Sequence, residues 1–206
     1  MHKRKPLIYV VDDNVSICRA LALLLKSRGF KVETFTSAED FLTYKHPKLP
    51  SCLVLDVQLP NINGLALQEA MTVRQLMIPI IFVTGHGNIP MSVKGMKAGA
   101  IDFLPKPVTE KKLLNAITLA VSRSVAQIKE QAEVSKIKRR ISTLSPRELE
   151  VFQLVAKGMM SKNIAFKRGT SLQTIKVHRG RVMQKMQAKT VTELIHLAQK
   201  AGIASF

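Results

Sequence analysis

The stretch LIYVVDDN, residues 7–14, joins a run of strand-forming residues to two adjacent carboxylates. Val10 and Val11 suit a strand that is buried on both faces, as the strands of parallel sheets are. Asp12 and Asp13 repel each other and prefer water. The sequence therefore predicts a site that requires negative charge at the end of this strand.

Four more short apolar stretches follow, and amphipathic helical patterns alternate with them. We predict strands over residues 6–11, 30–35, 51–56, 78–84 and 100–104, and helices over about 14–28, 37–44, 64–76, 89–98 and from 109 onward. Five strand–helix units in succession are typical of the α/β class. We expect a doubly wound, five-stranded parallel sheet with helices on both faces.

Composition limits the class of protein. The chain has 206 residues, of which 46% are hydrophobic, so it can form one large domain or two of ordinary size. Cys18 and Cys52 lie in apolar surroundings without CxxC spacing, which favours reduced, buried thiols over a disulfide or a metal site. No stretch approaches the roughly 20 apolar residues of a membrane span, and the basic start meets Asp12 before a secretory core could form. We expect a soluble cytoplasmic protein.

Positive charge is concentrated towards the end of the chain. The net charge is +18, and residues 142–206 contain 11 Lys or Arg but only three acidic residues. This distribution suits a polyanionic partner such as nucleic acid. A basic surface that is merely solvated is the alternative.

The second half of the chain reads as helical throughout. Residues 108–145 contain neither Pro nor Gly, so the helix that begins near residue 109 should continue as a semi-rigid linker. The polar part of this linker is either a solvated helix or a weak dimer interface. Ser145, Pro146 and Glu148 then form a capping-box pattern for a helix that ends at Gly158. Three further helices are predicted, with a turn near Gly169 between the first two. We divide the chain into a first domain over 1–122, a linker over 123–141 and a small all-α four-helix domain over 142–206.

Side chains that follow separate strands should meet at one edge of the sheet. Carboxyl ends of parallel strands line the edge where such folds bind ligands. The residues at this edge are Asp12, Asp13, Asp56, Thr84 and Lys106. A shared Mg²⁺ would relieve the repulsion between three carboxylates, and Asp56 is the best-placed nucleophile for forming an aspartyl phosphate. The Thr84 hydroxyl and the Lys106 ammonium could then stabilise the phosphoryl oxygens.

Residues 172–186 form the candidate recognition helix of a helix-turn-helix. At about 100° per residue, Ile175, Val182 and Met186 share one face, which should pack on the domain. The opposite face has no acidic residue and consists of Gln173, Thr174, Lys176, Val177, Gly180, Arg181 and Gln184. This face suits a phosphate-lined major groove.

Individual DNA contacts follow from side-chain chemistry. Lys176 and Arg181 can reach phosphates or guanine edges, and Val177 suits a thymine methyl group. Lys162 and Asn163, at the start of the preceding helix, look like phosphate anchors. Gly180 either permits close approach of the backbone to DNA or is a tolerated weak point of the helix.

The motifs VVDDN (10–14), LVLDVQLPNINGLALQ (53–68), VTGHG (83–87) and KAGAIDFLPKP (97–107) resemble the receiver domain of two-component response regulators. Residues 144–203 resemble the LuxR-type helix-turn-helix. Together they make the chain similar to the NarL/FixJ family, closest to the FixJ side, whose receivers have a flavodoxin-like fold. His86, within the third motif, is interpreted as a loop residue because it has no ligand partner.

The resemblance implies roles for individual residues. Asp56 would accept a phosphoryl group from a histidine kinase, and Asp13 would bind Mg²⁺ directly and Asp12 through water. The main-chain carbonyl of Gln58 would be a further metal ligand. Phe103 matches the aromatic switch position. The Lys106–Pro107 bond would be cis.

The resemblance also implies a phosphorylation-dependent transcription regulator. Phosphorylation would promote homodimerisation and promoter binding, and the family favours an activator that contacts RNA polymerase. The sequence leaves two alternatives. A haloacid-dehalogenase-like phosphatase needs a second Asp two residues after the nucleophile, where this chain has Gln58. A constitutive DNA-binding protein would use its receiver only for docking.

Overall fold

The computed structural model describes residues 5–85 and 89–203, which divide into two compact units between residues 129 and 130. The first unit contains strands β1 (Leu7–Val11), β2 (Lys31–Phe35), β3 (Ser51–Asp56), β4 (Ile80–Thr84) and β5 (Asp102–Pro105). Its helices are α1 (Val15–Ser27), α2 (Ala38–Thr43), α3 (Gly64–Val73) and α4 (Ile89–Lys97). Helix α5 (Glu110–Ile141) begins in this unit and ends in the second.

The five strands form one parallel sheet in the order β2-β1-β3-β4-β5, which confirms the predicted fold class. Successive residues of β1 point to opposite faces of the sheet, and each face is covered by an apolar layer. One layer includes Tyr9, Phe41, Leu55, Leu67 and Phe82. The other includes Ile8, Val54, Ile81, Leu113 and Ile117. Because both faces are buried, the strands lack the alternation of polar and apolar residues.

Several element ends differ from the predicted ones. Helix α3 ends at Val73 rather than at residue 76, because Arg74 caps the helix and Gln75 adopts a φ of 55°. Strand β4 begins at Ile80 rather than at residue 78, after Pro79, which has no N–H to donate. Strand β5 begins at Asp102 and extends to Pro105, one residue beyond the predicted end.

The second unit is helical and contains α6 (Pro146–Ala156), α7 (Ser161–Arg168), α8 (Leu172–Met186) and α9 (Val191–Lys200). The predicted capping box is present: Ser145 Oγ accepts the Glu148 N–H, and the Glu148 carboxylate accepts the Ser145 N–H. Residues from all four helices form one core, which includes Phe152, Ile164, Ile175, Val182 and Leu194. Among residues 5–85 and 89–203, the structure contains no helix with the length and apolarity of a bilayer span.

Candidate functional site

The acidic residues that follow β1 and β3 lie together because these two strands are neighbours in the sheet. Val11 pairs with Leu55, so the residues after β1 and at the end of β3 reach the edge side by side. Carboxylate oxygens of Asp12, Asp13 and Asp56 lie within 4.8 Å of one another. Asp12 and Asp56 are buried, whereas Asp13 is exposed. The predicted cluster of three carboxylates is therefore present.

Lys106 joins this cluster from the loop after β5. Its Nζ lies 2.7 Å from Asp12 Oδ2 and 2.6 Å from Asp56 Oδ2. The Lys106 N–H donates to the main-chain carbonyl of Thr84, and the Lys106–Pro107 bond is cis, as predicted. Burial lowers the pKa of the Lys106 ammonium, but the hydrogen bonds and charges of both aspartates outweigh it and raise the pKa overall. The lysine is thus held as a cation beside the two buried carboxylates.

Backbone hydrogen bonds orient the two buried carboxylates. The Asn14 N–H donates to Asp12 Oδ1, and the Gln58 N–H donates to Asp56 Oδ1, each at 3.0 Å. These local turns occupy one oxygen of each carboxylate and point the other towards Lys106. The Gln58 side chain is exposed.

The remaining predicted residues of this edge also lie near it. Thr84 is buried at the end of β4. The Phe103 ring is partly buried on β5, with its centroid 5.6 Å from that of Phe82. His86 lies outside the described residues.

Gly64, which supports this edge, and Gln68, which joins α3 to α4, were not identified from the sequence. A Cβ on Gly64 would lie 2.5 Å from the main-chain oxygen of Asp56, so the start of α3 can approach β3 only at a glycine. Four residues later, the buried Gln68 side chain donates from Nε2 to the carbonyls of Gly95 and Ala98 on and just after α4. The NG dipeptide at 63–64 was the one available signal.

Helix α8, the candidate recognition helix, has the predicted division of buried and exposed faces. Ile175, Val182 and Met186 of α8 are buried. The seven residues predicted to face outward are all exposed: Gln173, Thr174, Lys176, Val177, Gly180, Arg181 and Gln184. Lys162 and Asn163 are exposed in the first turn of α7. Helix α7 ends at Arg168 and is capped by Gly169, which has a φ of 59°, so the predicted turn is present.

Side-chain contacts set the position of α8 in this unit. Arg179 donates to Ser161 Oγ at the start of α7, at 3.1 Å. On the other side, Lys185 Nζ lies 2.6 Å from Glu148 Oε2 and also donates to the carbonyl of Thr143. The hydrogen bond from Lys185, together with that from the Ser145 backbone, lowers the pKa of the Glu148 carboxyl.

Comparison with known proteins identifies both units. The family described as "Response regulator receiver domain" matches residues 8–118. The family described as "Bacterial regulatory proteins, luxR family" matches residues 142–198. The chain belongs to the two-component response regulators. Within them, it is similar to regulators of the NarL/FixJ type, as the sequence motifs predicted.

Relatives of this response regulator match along nearly its whole length. Nodulation protein W of Bradyrhizobium diazoefficiens is 43% identical over 201 residues, which cover 98% of this chain and 88% of the relative. Transcriptional regulatory protein FixJ of the same organism is 39% identical over 196 residues, which cover 95% of this chain and 96% of the relative. The solved structure of response regulator StyR has 43% sequence identity to this chain and a TM-score of 0.78. The match covers 96% of this chain and 100% of the StyR chain.

Membership of this family defines the general activity. The response regulator is a phosphorylation-dependent, DNA-binding transcription regulator of a two-component system. Its receiver domain implies a histidine kinase as partner, and its luxR-family domain implies DNA. The family is a class of transcription regulators and not a class of enzymes.

Proposed function

We propose that Asp56 is the phosphoacceptor of this response regulator. The observation that supports it most strongly is the 2.6 Å contact between Asp56 Oδ2 and the Lys106 ammonium, inside the cluster that Asp12 and Asp13 complete. A carboxylate beside a fixed cation can attack the phosphorus atom of a phosphodonor, so that an O–P bond forms while the bond from phosphorus to the donor's leaving group breaks. The ammonium neutralises the oxygens of the transferred group.

Mg²⁺ is the cofactor that this donor set fits. Asp12, Asp13 and Asp56 offer hard carboxylate oxygens, and Mg²⁺ is typically bound by one or two carboxylates together with waters and phosphate oxygens. The main-chain carbonyl of Gln58 would add a further oxygen ligand. When bound, Mg²⁺ would neutralise negative charge on the incoming phosphoryl group.

Thr84 and Phe103 would convert phosphorylation into a change of surface. The Thr84 hydroxyl would hydrogen-bond a phosphoryl oxygen, and the Phe103 ring would move towards the space that Thr84 leaves. Helix α4 contacts this region, since Gly95 lies against the Phe82 ring that neighbours Phe103. We expect the surface of α4 and β5 to change so that two receivers pair. The internal Gly95 lowers the intrinsic stability of this helix, which fits a switching element, whereas Pro90 lies in the first turn, where proline is tolerated.

The exposed face of α8 would bind promoter DNA in the major groove. The proposed contacts are made by Lys162, Asn163, Gln173, Thr174, Lys176, Val177, Gly180 and Arg181. A homodimer formed on phosphorylation would bring two such helices to adjacent half-sites. We propose that the protein activates transcription in the cytoplasm by contacting RNA polymerase. Its functional domains would be residues 1–122 and 142–206, joined by a linker over residues 123–141.

Phosphorylation by a small phosphodonor tests this proposal. Wild-type protein and Asp56→Asn would be incubated with acetyl phosphate and Mg²⁺, and both the acid-labile phosphate and the affinity for promoter DNA would be measured. We expect labelling and increased affinity in the wild type only. Asp40→Asn, at an exposed carboxylate on α2 that is not part of the cluster, is the matched control and should behave like the wild type.

Two results would contradict the proposal. Labelling of Asp56→Asn at the wild-type level would place the phosphoryl group elsewhere. Equal DNA affinity of the wild type with and without the phosphodonor would indicate a constitutive DNA-binding protein.

A further inference from the structure

The most exposed large apolar side chain among the described residues is Phe166, on α7. It is 91% exposed, although α7 buries Ile164 and Ala165 in the core of the same unit. Exposing a phenylalanine side chain to water has an unfavourable hydrophobic free energy, which a polar side chain would avoid. A single exposed apolar residue is common on protein surfaces, so its meaning depends on its neighbours.

The neighbours of Phe166 on α7 are the two proposed phosphate anchors. At about 100° per residue, Phe166 lies about 40° around the helix from Lys162 and about 60° from Asn163. All three are exposed, as is Lys167. The outward surface of α7 is therefore an aromatic ring surrounded by lysine and asparagine side chains.

Charge indicates the kind of partner that this surface fits. Residues 161–186, which span α7 and α8, contain seven Lys or Arg and no Asp or Glu. Neither Lys162 nor Lys167 forms an ion pair within the part of the chain that the structure describes. A polyanion that also presents apolar surface would satisfy both the lysines and the ring.

We propose that Phe166 packs against a deoxyribose of the DNA strand whose phosphates are bound by Lys162 and Asn163. This inference rests on the proposed DNA-binding function and extends it by a residue that the motifs do not assign. In a DNA backbone, sugars alternate with phosphates, so a ring one helical turn from two phosphate-binding side chains is placed to meet a sugar of the same strand. Such a contact positions the protein without reading sequence.

Because the contact is independent of sequence, a mixed-sequence 30-base-pair duplex is a sufficient probe. We expect Phe166→Ala in the phosphorylated full-length chain to weaken binding by about fivefold to tenfold, through loss of buried apolar area. The slope of log K against log salt concentration should stay at its wild-type value, because no phosphate contact is lost. Lys162→Ala should instead lower the magnitude of that slope by about one.

Two variants control for general effects of the substitution. Val73→Ala removes an apolar side chain that is 82% exposed on α3 of the other unit, and it should bind DNA like the wild type. Phe166→Leu keeps apolar area and should retain most of the affinity. Thermal unfolding of each variant would verify that the fold is intact.

Three outcomes would overturn the inference. If Phe166→Ala bound DNA as tightly as the wild type, Phe166 would make no contact with a sugar. If Phe166→Ala bound DNA as tightly as the wild type but lost transcription in vitro, the ring would contact a protein partner instead. Failure of the phosphorylated wild type to bind any duplex would overturn the proposed DNA-binding function as well, which the first two outcomes leave intact.

Discussion

The Lys106 ammonium lies 2.6 Å from Asp56 Oδ2, although the two residues are 50 positions apart in the sequence. The same ammonium is 2.7 Å from Asp12 Oδ2. It is therefore the counter-charge of two buried carboxylates in the resting receiver. Mg²⁺ bound at the same carboxylates would share this role.

Lys106→Met should destabilise the receiver unit by about 1–3 kcal/mol, because Asp12 and Asp56 would remain buried without a cation. Urea unfolding in EDTA would measure the loss. Added MgCl₂ should restore more stability to the variant than it adds to the wild type. Lys94→Met, which removes an exposed partner of Glu69, is the control and should respond to Mg²⁺ like the wild type. An equal response of Lys106→Met and the wild type would argue against metal binding beside Lys106.

Gly64→Ala should both destabilise the receiver and slow its phosphorylation. The added Cβ would meet the Asp56 main-chain oxygen at 2.5 Å, so the backbone that carries the proposed phosphoacceptor would have to shift. We expect a loss of about 1–3 kcal/mol, as for other overpacked sites, with slower labelling by acetyl phosphate. Unchanged stability and labelling would show that α3 can move away from β3 freely.

Gly180→Ala makes the same chemical change where the new Cβ would meet nothing within 4 Å. It should stabilise the second unit by about 0.5–1 kcal/mol, because alanine costs less than glycine inside a helix. Thermal unfolding measures this gain, and a lower melting temperature would contradict it. DNA affinity then decides between the two interpretations of Gly180: reduced affinity indicates close approach of the backbone, and unchanged affinity indicates a tolerated weak point.

The contribution of Glu148 to stability should depend on pH in the acid range. Its pKa is lowered from the ordinary value of 4.5 by Lys185 and the Ser145 backbone, so the unfolded chain binds this proton more readily than the folded one. The stabilisation is complete above pH 4.5 and is lost as the pH falls through the lowered pKa. The difference in unfolding free energy between the wild type and Glu148→Gln should therefore shrink in acid.

Lys185→Met provides the matched background for that measurement. Without the ammonium, the effect of Glu148→Gln and its pH dependence should both be smaller, as a double-mutant cycle would report. A difference between the wild type and Glu148→Gln that stays constant into the acid range would contradict the ion pair.

Features that depend on local sequence were predictable, and so was the one long-range cluster that a parallel sheet imposes; the other contacts across the chain were not. The capping box at Ser145 and the buried face of α8 follow from residue spacing within a few turns. The convergence of Asp12, Asp56 and Lys106 followed from a general property of parallel sheets, namely that their carboxyl ends share an edge.

The missed contacts have a common physical origin. The approach of Gly64 to Asp56 depends on how closely α3 packs on β3, and hydrophobic patterning does not specify that distance. Likewise, Glu148 was recognised as a capping residue, but its ion pair with Lys185 joins α6 to α8 through residues that are 37 positions apart. The two strand starts that shifted by two residues lie after Pro79 and at Asp102, where the chain enters the sheet from irregular loops.

Helix α8 keeps its structural and its outward-facing residues at separate positions. Ile175, Val182 and Met186 anchor the helix, while the side chains available to a promoter share none of those positions. Substitutions on the outer face can accumulate with little effect on folding. After gene duplication, two descendants of this protein could therefore acquire different operators while inheriting an unchanged scaffold.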